Sequence, residues 1–345
     1  MRIIVYLGTG GVGKTSVAAA TALSLARTGT KALVLTIDPA LRLRSALHLE
    51  EGPLEQRVPL DPQPPGELWA ALLDVRATLD EAVRLYAKPE KVAPILNHPI
   101  YQTIADSLVG MQELMAVERI DQLARRGFDT IVVDTAPSRH ALEFLDKPMF
   151  FSDLVSSRWV KLIGRTYKFV AGTRMVALGR KTIDFYARVE QILGANLVRQ
   201  VLDFYSIFVS IAEGYAERAQ KTVARLRNPD VTEFRVVTTP QKVLRDAQFF
   251  TEALRKRHFR TGAMYVNRVW LHPLRAAGLN GLGRQVLEWY TAVRDSHLRA
   301  VSQARHDFTA SIPSIEMLPE LERDVDGLPA LERMAYLISN PTVAE

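Results

Sequence analysis

The sequence predicts an α/β fold: a mostly parallel sheet with helices on its faces and a helical subdomain inserted into its connections. Three observations carry this. The first 40 or so residues run apolar strand, glycine-rich turn, alanine-rich helix, apolar strand, the order of a βαβ unit with parallel strands. Short β-branched or apolar runs recur at Thr130–Val133, Phe234–Thr238 and Ala263–Val266, each bounded by turn or helix signals. Two long blocks, Thr78–Arg126 and Phe150–Arg227, are helical in pattern, with few β-branched clusters.

Taken in order, Arg2–Leu7 reads as the first strand and Gly8–Gly13 as the turn. Lys14–Arg27 has the alanine-rich composition and apolar spacing of a buried helix, which Gly29 ends. Lys31–Ile37 is the second strand, Asp61–Gly66 a proline-rich loop, and Glu67–Asp74 a further strand. There is no internal repeat and one glycine-rich loop. Residues 1–345 therefore read as a single unit. Its sheet core comprises 1–77, 127–149 and 231–345, and its helical insert 78–126 and 150–230.

Composition excludes several classes. With 345 residues, 48% hydrophobic and 24% charged, the chain is an ordinary globular one. It has no cysteine, so disulfides, thiolate metal sites, iron–sulfur clusters and cysteine nucleophiles are out. No stretch approaches the roughly 18 consecutive apolar residues of a membrane span. The start, Met1 to Leu7, reads as a strand and not a signal peptide, so a cytoplasmic setting is expected. The net charge of +6 is local. Between Arg158 and Arg188 stand Arg158, Lys161, Arg165, Lys168, Arg174, Arg180, Lys181 and Arg188 against the single acid Asp184.

Gly8-Thr9-Gly10-Gly11-Val12-Gly13-Lys14-Thr15 fits G-x-x-x-x-G-K-[ST] at every fixed position. Its glycines let backbone N–H groups wrap a phosphate, and the helix that follows points its positive end at the same anion. Lys14 is expected on the β- and γ-phosphates, and Thr15 on Mg²⁺. Because the loop follows a strand and opens a helix, the fold is expected to be of the P-loop NTPase type. Asp134 ends the apolar strand Phe128–Asp134, where a Walker-B acid would hold Mg²⁺ through water; by itself it also reads as a strand terminator or helix cap. Asp38 ends the second strand, at the carboxyl edge where open α/β sheets bind ligands. The candidate catalytic residues are Lys14, Asp38 and Asp134, and the candidate metal ligands are Thr15, Asp38 and Asp134.

Together these segments resemble the arsenite-pump ATPase (ArsA) family, which includes the ATPases that guide tail-anchored membrane proteins and belongs to the deviant-Walker, SIMIBI-like group with MinD and ParA. The shared pieces are Gly8–Thr15, Asp38-Pro39-Ala40 and Asp134-Thr135-Ala136-Pro137-Ser138-Arg139-His140. The likeness extends to Asn267 in Tyr265-Val266-Asn267-Arg268, and to Met317-Leu318-Pro319-Glu320-Leu321 followed by Gly327-Leu328. The resemblance implies ATP/ADP and Mg²⁺ as ligands. It places nucleotide on Gly8 to Ser16, on a base-reading Asn267, and on an adenine loop of Pro319, Glu320 and Leu321. Without the resemblance, Asn267 reads as a turn residue, although its amide can both donate to and accept from a base edge.

Four departures qualify the likeness. The family's early loop lysine, which reaches a dimer partner's phosphates, is Thr9 here, and the aspartate that orients water is Ser45. A serine hydroxyl does not ionise near neutral pH without help. The bridging C-x-x-C zinc motif and the arsenite-binding cysteines are absent, so neither a zinc-thiolate site nor metalloid binding is expected. Some bacterial members are similar in lacking the lysine and in carrying the segment that here runs from Tyr101 to Glu113. Such members tend to occur as paired, non-identical subunits.

Met111, Leu114, Met115, Ile120 and Leu123 form one apolar stripe, and Phe150, Phe151, Leu154, Trp159, Leu162 and Ile163 another. Both read as core, with an adaptable client groove as the alternative. The basic window interleaves Trp159, Tyr167, Phe169, Phe185 and Tyr186. It reads as a solvated helix face, or as a contact for an anionic membrane surface or an acidic partner; no nucleic-acid-binding module is present. The leading functional expectation is an ATP-driven dimeric switch, slow or partner-dependent, engaging a homologous subunit and a protein client, in the cytoplasm or peripherally at a membrane. The alternatives are a pseudo-ATPase regulatory subunit of a heterodimer and an ATP-dependent metabolic enzyme.

Overall fold

The computed structural model describes residues 1–38, 42–51, 54–99, 101–102, 112–136, 142, 217–274, 281–322, 325 and 327–340. The second apolar stripe, the basic window, Pro39-Ala40 and Pro137–His140 lie outside them. The chain divides into two compact units. One comprises Met1–Leu73, Gln122–Leu142 and Ala224–Glu345, and the other Asp74–Asp121 and Glu143–Val223.

The first unit is built on an eight-stranded sheet. Its strands are β1 (Arg2–Leu7), β2 (Lys31–Thr36), β3 (Glu55–Val58), β4 (Glu67–Leu72), β5 (Thr130–Asp134), β6 (Thr232–Thr238), β7 (Thr261–Val269) and β8 (Ile315–Pro319). They lie in the order β3-β4-β2-β5-β1-β6-β7-β8. Every pairing is parallel except β3 with β4. The central strands read as unbroken apolar runs because both faces are covered: Ile3, Val5, Tyr6, Leu7, Leu33, Val34, Ile131, Val132 and Val133 have no exposed surface. From β1 the chain crosses to β2 on one side, and from β6 to β7 on the other. Loops leaving adjacent strands in opposite directions open a crevice at their carboxyl ends.

Helix α1 (Lys14–Arg27) follows β1. The short α2 (Arg42–Leu47) follows β2. Among the described residues this unit has three further helices, α6 (Val243–Lys256), α7 (Gly281–Phe308) and α8 (Leu328–Ser339). Beneath the sheet runs a polar network. The Arg235 guanidinium donates to Tyr6 OH at 3.2 Å and Tyr265 OH at 3.3 Å, and its Nε donates to Glu233 at 2.7 Å. Burial alone would raise the Glu233 carboxyl, but Arg235 and Arg2 hold it below the usual carboxylate range.

The second unit contains α3 (Val75–Tyr86) and α4 (Pro89–Leu96). Helix α5 (Gln112–Ala124) runs across the division, and its Met115, Ile120 and Leu123 are buried, as core. One strand boundary is corrected: Asp74 does not extend the strand that begins at Glu67 but caps α3, accepting from the Ala77 N–H at 2.8 Å. An aspartate satisfies an otherwise orphaned amide there, which a strand end does not require. Tyr101 donates to Asp80 at 2.5 Å, and burial together with that carboxylate raises its phenol.

Candidate functional site: a phosphate loop and an amphiphilic cavity

Residues Gly8 to Gly13 leave β1 and turn directly into α1. Two positions need glycine. A Cβ on Gly8 would stand 2.5 Å from the Val237 carbonyl oxygen on β6. Gly13 has φ +84°, and a Cβ there would fall 2.3 Å from Asn267 Nδ2. The loop is therefore pressed between the carboxyl ends of β6 and β7. Its N–H groups and the first turn of α1, which carries no acid, make a setting for an anion.

The carboxyl end of β5 supplies the opposite charge. Asp134 is fully buried, and Lys14 is 4% exposed. Lys14 Nζ donates to Asp134 Oδ1 at 2.8 Å and to the Thr135 carbonyl. Asp134 Oδ2 accepts from Thr15 Oγ1 at 2.7 Å and from Thr36 Oγ1 at 3.1 Å. Thr36 Oγ1 in turn accepts from the Asp38 N–H at 3.2 Å, and the Thr135 hydroxyl donates to the Tyr6 carbonyl at 2.8 Å. Parallel pairing sets this up, since Asp134 stands level with Tyr6 on β1 and Thr36 on β2.

β7 contributes through an irregularity. Val266 pairs with Met317 and Val269 with Pro319, so the register shifts between them. One extra residue on β7 re-aims its side chains, as bulges beside sites commonly do. Arg268 sits there at φ +63°. The Asn267 amide donates to the Val12 carbonyl at 3.0 Å, fastening the loop to the strand.

A cavity of about 520 Å³ opens against these groups. Thr9, Gly11, Val12, Gly13, Lys14, Thr15, Ser16, Asp38, Asn267, Pro319, Glu320 and Leu321 all line it, as does Ser45. Gly8, Gly10 and Asp134 are not on its wall; Asp134 lies behind Lys14 and Thr15. One end is cationic and hydroxyl-rich. Pro319, Leu321, Val325 and Met334 give the wall apolar surface as well. Such a lining suits a ligand with an anionic tail and a flat apolar head.

The donors here fit a hard divalent cation: the Asp134 carboxylate behind the wall, and the Thr15 hydroxyl and Asp38 carboxylate on it. Among the described residues no three His, Asp or Glu cluster tightly enough to hold an ion by themselves. An ion here would take its remaining ligands from phosphate and water, which is the habit of Mg²⁺.

Several participants escaped the sequence reading. Thr36 donates to Asp134, and the Thr135 carbonyl accepts from Lys14; their signal was adjacency to Asp38 and Asp134. Val325 and Met334 line the cavity from the last helix and its approach. Lys242 and Asp246 meet the loop from more than 230 positions away, and nothing in their local sequence announces it.

A family model described as anion-transporting ATPase (ArsA_ATPase) matches residues 1–340. An arsenical pump-driving ATPase, by name, from Aquifex aeolicus is 25% identical, the match covering 98% of this chain and 78% of that protein. The protein named ATPase get3 of Schizosaccharomyces japonicus is 24% identical over 98% of this chain and 92% of its own. ATPase ARSA2 of Chlamydomonas reinhardtii is 24% identical over 97% and 83%.

Proposed function

The chain belongs to the anion-transporting ATPase (ArsA) family, and from that premise we propose that it is a Mg²⁺-dependent ATP hydrolase acting as a nucleotide-driven dimeric switch. Its helical segments engage a protein client or partner, in the cytoplasm or peripherally at a membrane. The observation that carries the ATP reading is the buried Lys14–Asp134 pair, whose carboxylate also accepts from Thr15, with Lys14 and Thr15 on the wall of the 520 Å³ cavity.

The chemistry follows from these residues. Loop N–H groups from Gly10 to Gly13 cradle the phosphates. Lys14 exchanges Asp134 for oxygens of the β- and γ-phosphates. Asp134 and the Thr15 hydroxyl would hold Mg²⁺, directly or through water, with the Asp38 carboxylate on the cavity wall as a further ligand. The ion would supply positive charge to offset that of the phosphates. Pro319 and Leu321 cover the adenine, and Asn267 borders it.

Relatives named for arsenical pumping do not lend this chain their metalloid, since it has no cysteine to ligate one. No described helix is long and apolar enough to cross a membrane. A second reading, a nucleotide-holding subunit with little turnover in a heterodimer, is favoured by Thr9 and Ser45, both on the cavity wall and neither carrying the charge its position would supply. Lys14→Ala is expected to abolish or greatly weaken Mg·ATP binding in calorimetry, since the terminal phosphates lose their cation. Unchanged affinity in the folded variant overturns the ATP reading. Single-turnover hydrolysis, alone and with a homologous subunit, separates the switch from the nucleotide-holding subunit.

A further inference from the structure

Helix α6 holds the phosphate loop at two consecutive residues. Lys242, the residue before its first turn, donates from Nζ to the Gly10 carbonyl at 3.3 Å. Asp246, four positions on and 1% exposed, accepts from Thr9 Oγ1 at 3.3 Å. Residues four apart share a helix face, so one face of α6 addresses Thr9 and Gly10 together.

The two contacts differ in chemistry. Asp246 Oδ2 also accepts from Thr238 Oγ1 at 2.8 Å, and Arg245 Nε lies 3.9 Å from Oδ1. That carboxylate is occupied and fixed. Lys242 is half-buried and brings a full positive charge with three donors to one neutral carbonyl. It lines a second cavity of about 440 Å³. Gly11, Arg268 and Glu320 border both that cavity and the larger one. Lys242 itself lines the second cavity and not the larger one, and its ammonium reaches the loop through the carbonyl of Gly10, the residue before Gly11, which borders both.

The geometry points to Lys242 as a phosphate-binding residue of this chain's own ATP site. When ATP fills the loop, Nζ leaves the Gly10 carbonyl for an oxygen of the terminal phosphate. A phosphate oxygen meets the ammonium with a full negative charge where the carbonyl offers only a dipole, and the flexible lysine stem permits the exchange. Thr9 carries no charge to offer from the loop itself. Helix α6 supplies the cation within the same chain, so recognition of the third phosphate does not wait for a partner. This rests on the reading of the cavity as the ATP site.

The test is calorimetry of the full chain with Mg·ATP, Mg·ADP and a non-hydrolysable ATP analogue, for wild type, Lys242→Met and Lys242→Arg, with Lys14→Ala as control. Lys242→Met keeps the stem and removes the charge. It is expected to weaken ATP and the analogue about 5–20-fold, from the difference between a charged and a neutral hydrogen bond. ADP should stay within about twofold, and Lys242→Arg should restore most of the loss. Equal weakening of ATP and ADP, or no effect on either, overturns the proposal and leaves Lys242 as a fastener of the loop. A wild-type chain that binds neither nucleotide overturns the ATP reading itself, and this inference with it. Thermal unfolding of each variant without nucleotide separates lost binding from lost folding.

Discussion

The Lys14–Asp134 pair makes a quantitative claim about the nucleotide-free protein. Two opposite charges 2.8 Å apart, 4% and 0% exposed, attract by about 6 kcal/mol at an effective dielectric constant of about 20. Desolvation of both groups offsets much of this, and deleting one member of such a pair costs about 3–5 kcal/mol. Asp134→Asn strands a buried ammonium. Lys14→Met strands a carboxylate that keeps only the Thr15 and Thr36 hydroxyls. Each single variant should lose about 3–5 kcal/mol. The double variant strands neither charge and should lose less than the sum, by a coupling of about 2–3 kcal/mol. Urea unfolding of the four proteins without nucleotide measures this directly. A coupling under about 0.5 kcal/mol, the level of independent sites, would refute the reasoning.

Two other outcomes follow from the geometry. Gly13→Ala puts a Cβ 2.3 Å from Asn267 Nδ2 at φ +84°; it should cost more than 1 kcal/mol of stability and weaken nucleotide binding at least tenfold, read by calorimetry, with Gly11→Ala milder because its Cβ meets nothing within 4 Å. His297, buried with its Nδ1 accepting from the Trp270 N–H at 3.3 Å, has its pKa lowered by burial. The unfolded chain then binds the extra proton first, so this contribution to stability is present above the unfolded value of about 6.5 and lost as pH falls below it. Urea midpoints at pH 7.5 and 5 should fall less in His297→Gln than in wild type, and equal falls would count against it.

Much of the central sheet was legible because its strands are buried on both faces. β1, α1 and β2 could be placed to within a residue from an apolar run, a glycine turn and an alanine-rich helix. The edges could not. β3 spans only four residues, pairs antiparallel at the border, and mixes Glu55 and Arg57 with a single buried Val58, so neither alternation nor an apolar run marks it. The resemblance marks Pro319–Leu321 as an adenine loop, and the strand Ile315–Pro319 that leads into it is short and ends in a proline, which the end of a border strand tolerates. Helix α7 buries only His297, Val301 and Ala304, too thin a stripe to declare itself. Within the site, the loop and Asp134 carry spacing signals, whereas Lys242, Asp246 and Arg268 are united with it only by strand order and the β7 irregularity.

The packing of α1 decides how the molecule can move. Ten of its residues are buried. Five alanines let the sheet on one side and α8 on the other approach closely, with Arg27 Nε bonded to Glu332 at 3.0 Å and Ser24 to Ser339 at 2.6 Å. A rod clamped in this way has no slack, and sliding or tilting it would open voids that a dense interior resists. The loop at its head is thus a fixed anvil. On the proposed ATP reading, a displacement driven by gain or loss of a phosphate is expected to leave through the strand ends, along Asp134–Thr135 after β5 and Asp38 after β2, and not down the helix that begins at the lysine.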